Sequence, residues 1–387
     1  FRAWPIASAA PMGAGMPHFE AQHRDLADLA ERSRARRLAQ RAGRDFSSND
    51  YLALAGDPAL ATAVRAAIDA GIPIGSGGSR LLRGNHAAHE ALEAEAARFF
   101  GAGSALYFST GYAANAALLA TLPQRGDLIV HDALIHASAY EGMRLGRAEA
   151  REAAHNDVSA FEHAIAAWRH AGGTGRIWIA VESLYSMDGD QAPLDELAAL
   201  ADRHEAVLLV DEAHATGVFG PQGRGLAAGL AGRENLITLH TCGKALGCEG
   251  ALLCGPPVVR DFLVNRGRAF IFSTAPSPLM AEAVRAALAL IAEPARRARL
   301  HGLIRQAEAL LAPVGVRATG SQILPLVIGE DARTMAMAAA LQRLGFDVRG
   351  IRPPTVPAGT SRLRVSLTLN IGEDDVAALA GALGSLA

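Results

Sequence analysis

The most constraining feature of this chain is an alternation, between Ser104 and about Gly255, of short apolar runs with longer amphipathic stretches. The apolar runs predict β-strands at Ala105–Phe108, Leu128–His131, Ile177–Glu182, Val207–Asp211, Leu236–His240 and Ala251–Cys254. Between them, apolar residues recurring every three or four positions predict helices that include Ala113–Thr121, Val158–His170 and Leu194–His204. This alternation predicts an α/β fold with a mostly parallel sheet covered on both faces.

The sequence changes in character on either side of this region. After Ser273 we predict helices at Pro276–Ala292, Pro294–Leu311 and Thr334–Leu344, and strands at Ile323–Ile328 and Leu363–Leu367. Before Ser104 we predict helices near Phe19–Ala39 and Ala59–Ala70. Three parts follow from this: an N-terminal extension (1–45), a large cofactor-binding domain (46–273) and a smaller α+β domain (274–387). The first fifteen residues lack periodicity and a signal-peptide core, so we interpret them as a mobile or non-native leader.

Composition and charge exclude several classes of function. The 37 Lys+Arg residues nearly balance the 39 Asp+Glu residues, which argues against a nucleic-acid binder because such affinity comes from an excess of clustered cations. No apolar run approaches the ~18 residues of a membrane span. Cys242, Cys248 and Cys254 are spaced six apart, and an odd number cannot pair completely. We therefore predict a reduced, cytoplasmic protein.

Polar residues that follow predicted strands carry the chemical information, because ligands of parallel sheets collect at the carboxyl ends of the strands. Asp211 and His214 follow one apolar strand, and Lys244 follows the next, flanked by glycine and apolar residues. Such an environment would desolvate the amine of Lys244, lower its pKa and make it nucleophilic. Asp211 could instead cap the following turn, so the strand end alone leaves two interpretations.

Two further features lie at other strand ends. Small residues from Ser109 to Asn115 open a predicted helix, whose free N–H groups suit a phosphate. His136 follows another strand and could stack on a planar ligand or cap a helix. An amine for an aldehyde, an acid for a ring nitrogen and a helix start for a phosphate together predict pyridoxal 5′-phosphate.

Three other patterns favour simpler interpretations. The glycines of Gly75–Gly78 follow no clear strand and lack the third glycine of a dinucleotide loop. His86 and His89 do not have the H-E-x-x-H order of a zinc helix, and Asp188–Asp190 lacks the later ligands of a calcium loop. We therefore predict no metal site.

Six stretches together give the chain its resemblance to a known family: Asp45–Leu52, Gly75–His86, Ser109–Asn115, Glu182–Gly189, Asp211–Gly217 and Thr241–Lys244. From about Asp45 onward the chain resembles the α-oxoamine synthases, which are fold-type-I pyridoxal-phosphate enzymes. The resemblance implies a decarboxylative condensation of an amino acid with an acyl thioester, in a homodimer with shared active sites.

Within that family, the stretches Arg352–Thr360 and Ser361–Val365 are similar to those of members that use L-alanine with pimeloyl-CoA or pimeloyl-ACP in biotin biosynthesis. A sibling activity, with glycine or serine and another acyl-CoA, stays open. So does a non-catalytic binding protein that keeps the fold. Ala215 and Cys242 depart from the usual family pattern beside the site.

The resemblance also implies roles for single residues. Lys244 would bind the cofactor covalently and move the α-proton of the substrate. Asp211 would pair with the ring nitrogen, His214 with the phenolic oxygen, and His136 would stack on the ring. Further cofactor contacts would come from Gly111, Tyr112, Ser186, Thr241 and Thr274, the last acting on the cofactor of the neighbouring subunit.

Substrate contacts are implied in the same way. Asn49 and Arg352 would engage the amino-acid carboxylate, since a guanidinium suits that group. Thr355 and an N-terminal arginine would line the acyl site; Arg36 is the choice made here, and Arg37 is the alternative.

Overall fold

The computed structural model describes residues 17–386. The leader predicted for the first fifteen residues lies outside this range. The strands are, in chain order, β1 Arg44–Asp45, β2 Ser104–Phe108, β3 Leu128–Asp132, β4 Glu149–Ala153, β5 Ile177–Glu182, β6 Val207–Asp211, β7 Leu236–Thr241, β8 Ala251–Gly255, β9 Ile323–Gly329, β10 Phe346–Asp347, β11 Arg349–Ile351 and β12 Ser361–Ser366.

Seven strands form the main sheet, in the order β2-β8-β7-β6-β5-β3-β4. The run from β7 through β6, β5 and β3 to β4 is parallel, and β8 is antiparallel to both β7 and β2. Every residue of β3 and of β5 is buried, which explains why their sequences are apolar runs rather than alternating ones. The predicted α/β fold with a mostly parallel sheet is confirmed.

Helices cover both faces of this sheet, and others build the smaller part of the molecule. They are α1 Glu20–Glu31, α2 Pro58–Asp69, α3 Ala87–Phe100, α4 Gly111–Thr121, α5 Ala137–Leu145, α6 Val158–His170, α7 Leu194–Arg203, α8 Pro257–Arg266, α9 Arg268–Ile271, α10 Pro278–Ala292, α11 Pro294–Leu311, α12 Asp331–Arg343 and α13 Glu373–Leu386. Within residues 17–386, none of them combines the length and the hydropathy needed to cross a bilayer.

Strand alternation decides which residues face which helices. Ile129 and Leu209 pack with α4 and α5 on one face, whereas Leu128 and Leu208 pack with α6 and α7 on the other. Residues at even offsets from Leu209 therefore share the α4 face. Asp211, which ends β6, is one of them.

The C-terminal part is built on a three-stranded antiparallel sheet, in the order β11-β12-β9. Residues of α10, α11, α12 and α13 share one core cluster with this sheet and with α2 and α3. The short strand β1 pairs with β10, which ties the segment at Arg44–Asp45 to the C-terminal part. The domain boundaries at 45 and 273 stay a prediction.

The structure differs from the sequence-based predictions at the end of α1 and at β4, the edge strand of the main sheet. The predicted helix Phe19–Ala39 ends at Glu31, and Ser33 has a left-handed φ of 56°. None of the residues of α1 is buried, so no apolar face supports the helix further. The strand β4 was not predicted, because its residues Glu149–Ala153 form a largely polar edge strand.

Candidate active site

The carboxyl ends of β3, β5, β6 and β7 bring together side chains that are far apart in the sequence. His136 follows β3, Ser186 follows β5, Asp211 ends β6 and Lys244 follows β7. These strands are parallel neighbours, so their ends open at one edge of the sheet. This edge is the candidate active site.

Lys244 is the single lysine of the 387-residue sequence. A backbone hydrogen bond closes the loop that carries Lys244: the Cys248 N–H donates to the Cys242 carbonyl at 2.9 Å. Gly247 has a φ of 65° and lies so close to Ala55 that a Cβ there would be 2.3 Å from the Ala55 nitrogen. The loop therefore needs glycine at this position to keep Lys244 directed toward the sheet edge.

Burial and the neighbouring charges together set the pKa of the Lys244 amine. Burial lowers the pKa of Lys244, and the charges of Asp211 and Glu182 act in the opposite direction. The positive charge of Arg364 also lowers it. The net shift is downward, so a larger share of the amine is unprotonated and nucleophilic than for a solvated lysine.

Asp211 is held in place by two donors. The amide of Asn115 on α4 donates to its Oδ2 at 2.7 Å, and the Ala213 N–H donates to its Oδ1 at 2.9 Å. The same Asn115 amide also donates to the Ser138 hydroxyl at 3.0 Å. This carboxylate is therefore fixed in orientation, as a partner for a ring nitrogen would need to be.

His136 is joined to the same chain of hydrogen bonds. Its Nδ1 accepts from the Ser138 N–H at 3.2 Å, which caps α5, and lies 2.7 Å from the Ser138 hydroxyl. Desolvation by the surrounding protein lowers the pKa of His136, and the Lys244 charge adds to this while Asp211 opposes it. A neutral ring with Nδ1 as acceptor carries its proton on Nε2. Both sequence interpretations of His136, a helix cap and a ring at the site, are compatible with this geometry.

The start of α4 offers backbone donors beside Thr241. Thr110 caps the helix by accepting from the Ala113 N–H at 3.0 Å, and this leaves the N–H groups of Gly111 and Tyr112 without an intrahelical partner. A Cβ on Gly111 would come within 3.4 Å of the Thr241 hydroxyl oxygen. A helix start with a hydroxyl next to it fits an anionic group such as a phosphate.

His214 belongs to a buried polar cluster at the same edge. Its Nδ1 lies 2.6 Å from the Tyr51 hydroxyl, which also donates to the Asn49 side-chain oxygen at 3.0 Å. Arg364 of β12 donates to that same Asn49 oxygen at 3.0 Å and to the Ser186 carbonyl at 2.7 Å. Burial holds the pKa of His214 well below its usual value, and the nearby cations act in the same direction.

Arg352 lies in a second cluster with the N-terminal segment. It donates to the Ala35 carbonyl at 2.6 Å, while its Nε is buried without a hydrogen-bond partner. Arg36 approaches the Thr355 hydroxyl at 3.5 Å, and the choice between Arg36 and Arg37 stays a prediction. Burial lowers the pKa of Arg352, and the charge of Arg36 adds to this. The structure therefore brings Arg36, Arg352 and Thr355 together.

Two of the predicted residues, Arg352 and Thr274, are not joined by side-chain hydrogen bonds to the cluster around Lys244 within residues 17–386. The cation that is hydrogen-bonded to Asn49 is Arg364. Arg352 instead donates its hydrogen bonds to Ala35, Gly350 and Met335. Thr274 is exposed, and none of the side-chain hydrogen bonds found within residues 17–386 joins it to the cluster around Lys244. An exposed position is compatible with the role in the neighbouring subunit that was predicted for Thr274, and that role stays a prediction.

Sequence reasoning missed several residues of the site. Glu182 ends the apolar strand β5, where a charge is costly unless it is paired, and this cost was the available signal. Arg364 lies in β12, whose sequence alternates polar and apolar residues, so its burial was not visible in the sequence. Glu182 is fully buried and accepts from the Ser186 N–H at 3.2 Å. Asn115 was quoted only as part of a stretch, yet it connects Asp211 with Ser138.

These residues fit pyridoxal phosphate on three observations of this structure. The single lysine lies under the influence of the Asp211 charge, which is the pairing that an aldehyde and a ring nitrogen require. The start of α4 supplies unpaired N–H groups for a phosphate. Two buried polar atoms, Glu182 Oε1 and Arg352 Nε, have no hydrogen-bond partner within the described residues, and buried groups of this kind are normally satisfied by a ligand or water where the chain supplies no partner.

Comparison with known proteins gives one family over most of the chain. The family described as aminotransferase class I and II matches residues 43–383. The 8-amino-7-oxononanoate synthase of Burkholderia orbicola is 46% identical over 383 residues, covering 93% of each chain. The protein of that name from Anaeromyxobacter dehalogenans is 46% identical over 349 residues, covering 89% of this chain and 85% of that protein.

Solved structures agree with this result. A serine palmitoyltransferase from S. paucimobilis with bound PLP-myriocin aldimine superposes with a TM-score of 0.85 at 28% identity, over 95% of this chain and 97% of that one. An 8-amino-7-oxononanoate synthase from Francisella tularensis superposes with a TM-score of 0.74 at 27% identity, over 89% of this chain and 97% of that one.

Proposed function

This chain belongs to the class I and II aminotransferase family, and from that premise we propose that it condenses L-alanine with a pimeloyl thioester, as the names of its relatives imply. The products are 8-amino-7-oxononanoate, CO2 and a free thiol. A bond forms between the α-carbon of alanine and the acyl carbon, while the C–S bond and the bond to the carboxylate carbon break. The reaction is a step of biotin biosynthesis.

Pyridoxal phosphate, when bound, supplies an aldehyde for amines and a ring that accepts electrons. We assign to Lys244 the covalent attachment of this cofactor. We also assign to its Nζ the removal of the proton from the α-carbon of alanine. Its lowered pKa supports both roles, because an amine must be unprotonated to act as nucleophile or base.

The remaining cofactor contacts are assigned to residues of the same sheet edge. Asp211, oriented by Asn115, would keep a proton on the ring nitrogen, and His136 would cover one ring face. The N–H groups at Gly111 and Tyr112 would hold the phosphate together with Thr241. His214 and Ser186 would contact the phenolic oxygen and its surroundings.

The substrate contacts follow from the two arginine clusters. Arg364, bonded to Asn49, is a candidate for the alanine carboxylate in addition to Arg352, because it lies in the same cluster as His214. Arg36 and Thr355, which lie beside Arg352, form a cationic and hydroxyl-bearing site suited to the acyl substrate, which ends in a carboxylate.

The observation that carries this proposal is the position of the single lysine directly after β7, the parallel neighbour of β6, which ends at Asp211, at the carboxyl edge of the sheet. A sibling enzyme that uses glycine or serine with another acyl-CoA is the second candidate, favoured by the likeness to serine palmitoyltransferases. The identity to the curated relatives is higher, at 46%, and supports the alanine reaction.

A product assay tests the proposal. The purified protein is incubated with cofactor and with alanine, glycine or serine, each paired with pimeloyl-CoA, pimeloyl-ACP or palmitoyl-CoA, and products are identified by mass spectrometry. We expect 8-amino-7-oxononanoate from alanine and at least one pimeloyl donor. Lys244→Ala should lower the rate by at least ~10³-fold, whereas Arg299→Ala on the exposed face of α11 should not. Product from glycine or serine alone would favour the sibling enzyme.

We also propose that the protein is a cytoplasmic homodimer with shared active sites. The free thiols of Cys242, Cys248 and Cys254 support a reducing compartment. The exposed position of Thr274 supports a contact with the cofactor of the neighbouring subunit.

A further inference from the structure

Tyr51 is a buried residue to which the proposed chemistry gives no role. It lies between β1 and α2, and 0% of it is exposed. Its hydroxyl oxygen is 2.6 Å from Nδ1 of His214. The same oxygen is 3.0 Å from Oδ1 of Asn49 and 3.3 Å from Nη2 of Arg364. The hydroxyl therefore connects His214, which follows β6, with the basic residue of β12.

The hydroxyl has a single proton to share among these partners. A tyrosine hydroxyl donates one hydrogen bond, whereas a guanidinium can only donate. Arg364 therefore donates to the Tyr51 oxygen, and the hydroxyl proton is divided between His214 and Asn49. Asn49 Oδ1 already accepts from Arg364 at 3.0 Å. Within residues 17–386 no other hydrogen bond to Nδ1 of His214 is found.

The two distances indicate which acceptor takes the larger share of the proton. Hydrogen bonds given by O–H donors are shorter than those given by N–H donors, by about 0.2 Å. The contact of 2.6 Å between Tyr51 and His214 has the length of an O–H donor's bond. The contact with Asn49 is longer, at 3.0 Å. Tyr51 is therefore the donor, and Nδ1 of His214 is the acceptor.

Both groups have the protonation state that this arrangement needs. Burial raises the pKa of Tyr51 above its usual value, although the charge of Arg364 opposes this, so the hydroxyl keeps its proton. Burial lowers the pKa of His214 well below its usual value, and the charges of Lys244, Arg364 and His136 act in the same direction. The imidazole is therefore neutral and carries one proton on one of its two nitrogens.

We propose that Tyr51 is a positioning residue that fixes the tautomer of His214. The Tyr51 hydroxyl donates to Nδ1, so the ring carries its proton on Nε2 and presents a hydrogen-bond donor there. The amide of Gln322, which is also fully buried, donates to the His214 carbonyl at 2.8 Å and holds the backbone of the same residue. Side chain and backbone of His214 are thus both held by residues from distant parts of the chain.

The tautomer matters for the contact that was proposed for His214, and the inference rests on that proposed function. A phenolic oxygen without its proton can only accept hydrogen bonds. The Nε2–H tautomer of His214 offers it a donor, whereas the other tautomer would place a lone pair against it. Donation from Tyr51 to Nδ1 also polarises the ring and strengthens the bond that Nε2–H can give. Arg364 acts on the Tyr51 hydroxyl in the same way.

The test determines the tautomer of His214 directly. Long-range 1H–15N NMR of the holoenzyme, labelled with 15N-histidine, distinguishes ring nitrogens with and without a proton, and His214→Gln identifies the signals by their loss. In the wild-type protein we expect the proton on Nε2. Tyr51→Phe keeps the ring and removes the hydroxyl. The ratio of Nε2–H to Nδ1–H tautomer should fall by about fivefold or more, because the bond that favours the first tautomer is lost.

The absorbance of the bound cofactor gives a second measurement. In Tyr51→Phe we expect a larger share of the shorter-wavelength band, in which the phenolic oxygen carries a proton. Tyr107→Phe is the matched control, because Tyr107 is also 0% exposed and its hydroxyl donates to the Glu249 carbonyl at 2.8 Å. This variant loses one buried hydrogen bond and should leave both the tautomer ratio and the absorbance unchanged.

Two results would overturn the inference. One is a proton on Nδ1 of His214 in the wild-type protein, a measurement that does not depend on whether Tyr51→Phe folds. The other is an unchanged tautomer ratio in folded Tyr51→Phe. Neither measurement needs a substrate, and the NMR experiment can also be done on the protein without cofactor. If the product assay gives a product from glycine or serine alone, the proposed reaction is wrong, while the tautomer of His214 still decides this inference.

Discussion

At the scale of single residues, the surroundings of the acids at this sheet edge set their chemistry. Asp211 is only partly buried and has two donors, whereas the buried Glu182 has one. The same carboxyl chemistry can therefore supply a fixed negative charge in one place and a proton-binding group in the next.

Asp211→Asn should lower the rate of product formation by at least ~100-fold, because a neutral amide cannot keep a proton on the ring nitrogen. The hydrogen bond from Asn115 would still have an oxygen to accept it. The measurement is kcat together with retention of cofactor after dialysis. Asp195→Asn, at an exposed site in the first turn of α7, serves as the control. Wild-type kcat in Asp211→Asn would contradict the assigned role.

His155 gives a prediction about pH and stability. Its Nδ1 is hydrogen-bonded to Asp132 Oδ1 and its Nε2 to Asp190 Oδ2, each at 2.8 Å. Burial lowers the pKa of His155, but the two carboxylates outweigh it and raise the pKa to about 10. The pKa values of Asp132 and Asp190 are lowered by the same bonds against the effect of burial.

The raised pKa means that the folded state holds the imidazolium proton more tightly than the unfolded chain. This stabilisation is fully present below the unfolded pKa of 6.5 and is lost as the pH rises toward 10. The carboxylates contribute above their ordinary value of 3.8. His155→Gln should therefore lower the free energy of unfolding most between about pH 4 and 6.5 and least near pH 10. Urea denaturation at several pH values checks this, and a deficit that grows from pH 6 to pH 10 would refute it.

At the scale of elements, the loop from Cys242 to Gly250 positions Lys244 by close backbone packing. Gly247→Ala would place a Cβ 2.3 Å from the Ala55 nitrogen at a left-handed φ. We expect it to lower the free energy of unfolding by about 2 kcal/mol or more and to weaken cofactor retention. Gly302→Ala is the matched control, since Gly302 lies inside α11 with open space around its Cα, and alanine should stabilise there by up to ~1 kcal/mol. Equal stability of the two variants would contradict this account of the loop.

The bounds of single helices and strands show how much of the secondary structure could be predicted from the sequence. The helix Val158–His170 and the strands Ile177–Glu182 and Val207–Asp211 have the predicted bounds, because continuous apolar strands and amphipathic helices follow from burial. The edge strand β4 was not predicted, because its sequence is polar and its strand conformation comes from pairing with β3.

The candidate site was predictable only in part for a related reason. Lys244 and Asp211 follow apolar strands, and this position is visible in the sequence. Arg364 and Glu182 are charges inside strands, and their partners come from distant segments, such as Asn49 for Arg364. Contacts of this kind depend on tertiary packing, which no local pattern encodes.

At the scale of the whole molecule, apolar side chains remain exposed on connected segments. Ile74, Leu82 and Phe272 are 77%, 81% and 73% exposed. Hydrogen bonds from Ser76 to Pro276 and from Ser277 to Ile74 join the two segments that carry them. A patch of this kind is typical of an interface and favours the proposed dimer.

Light scattering should therefore give a mass near twice 40.3 kDa. Leu82→Asp should shift the protein toward the monomer and lower its activity, because a charge in an apolar interface is costly. Leu344→Asp, at an exposed leucine that follows α12, should remain dimeric and active. A fully active monomer in Leu82→Asp would exclude shared active sites.

The most direct test of the central claim is to locate the cofactor chemically. Reduction of the holoenzyme with borohydride, followed by digestion and mass spectrometry, fixes a pyridoxal group on the amine that holds it. The sequence has one lysine, so its ε-amine is unique in the chain. We predict the added mass on the peptide that contains Lys244 and its loss in Lys244→Ala. A protein that retains cofactor and product formation with Lys244 unmodified would contradict the account.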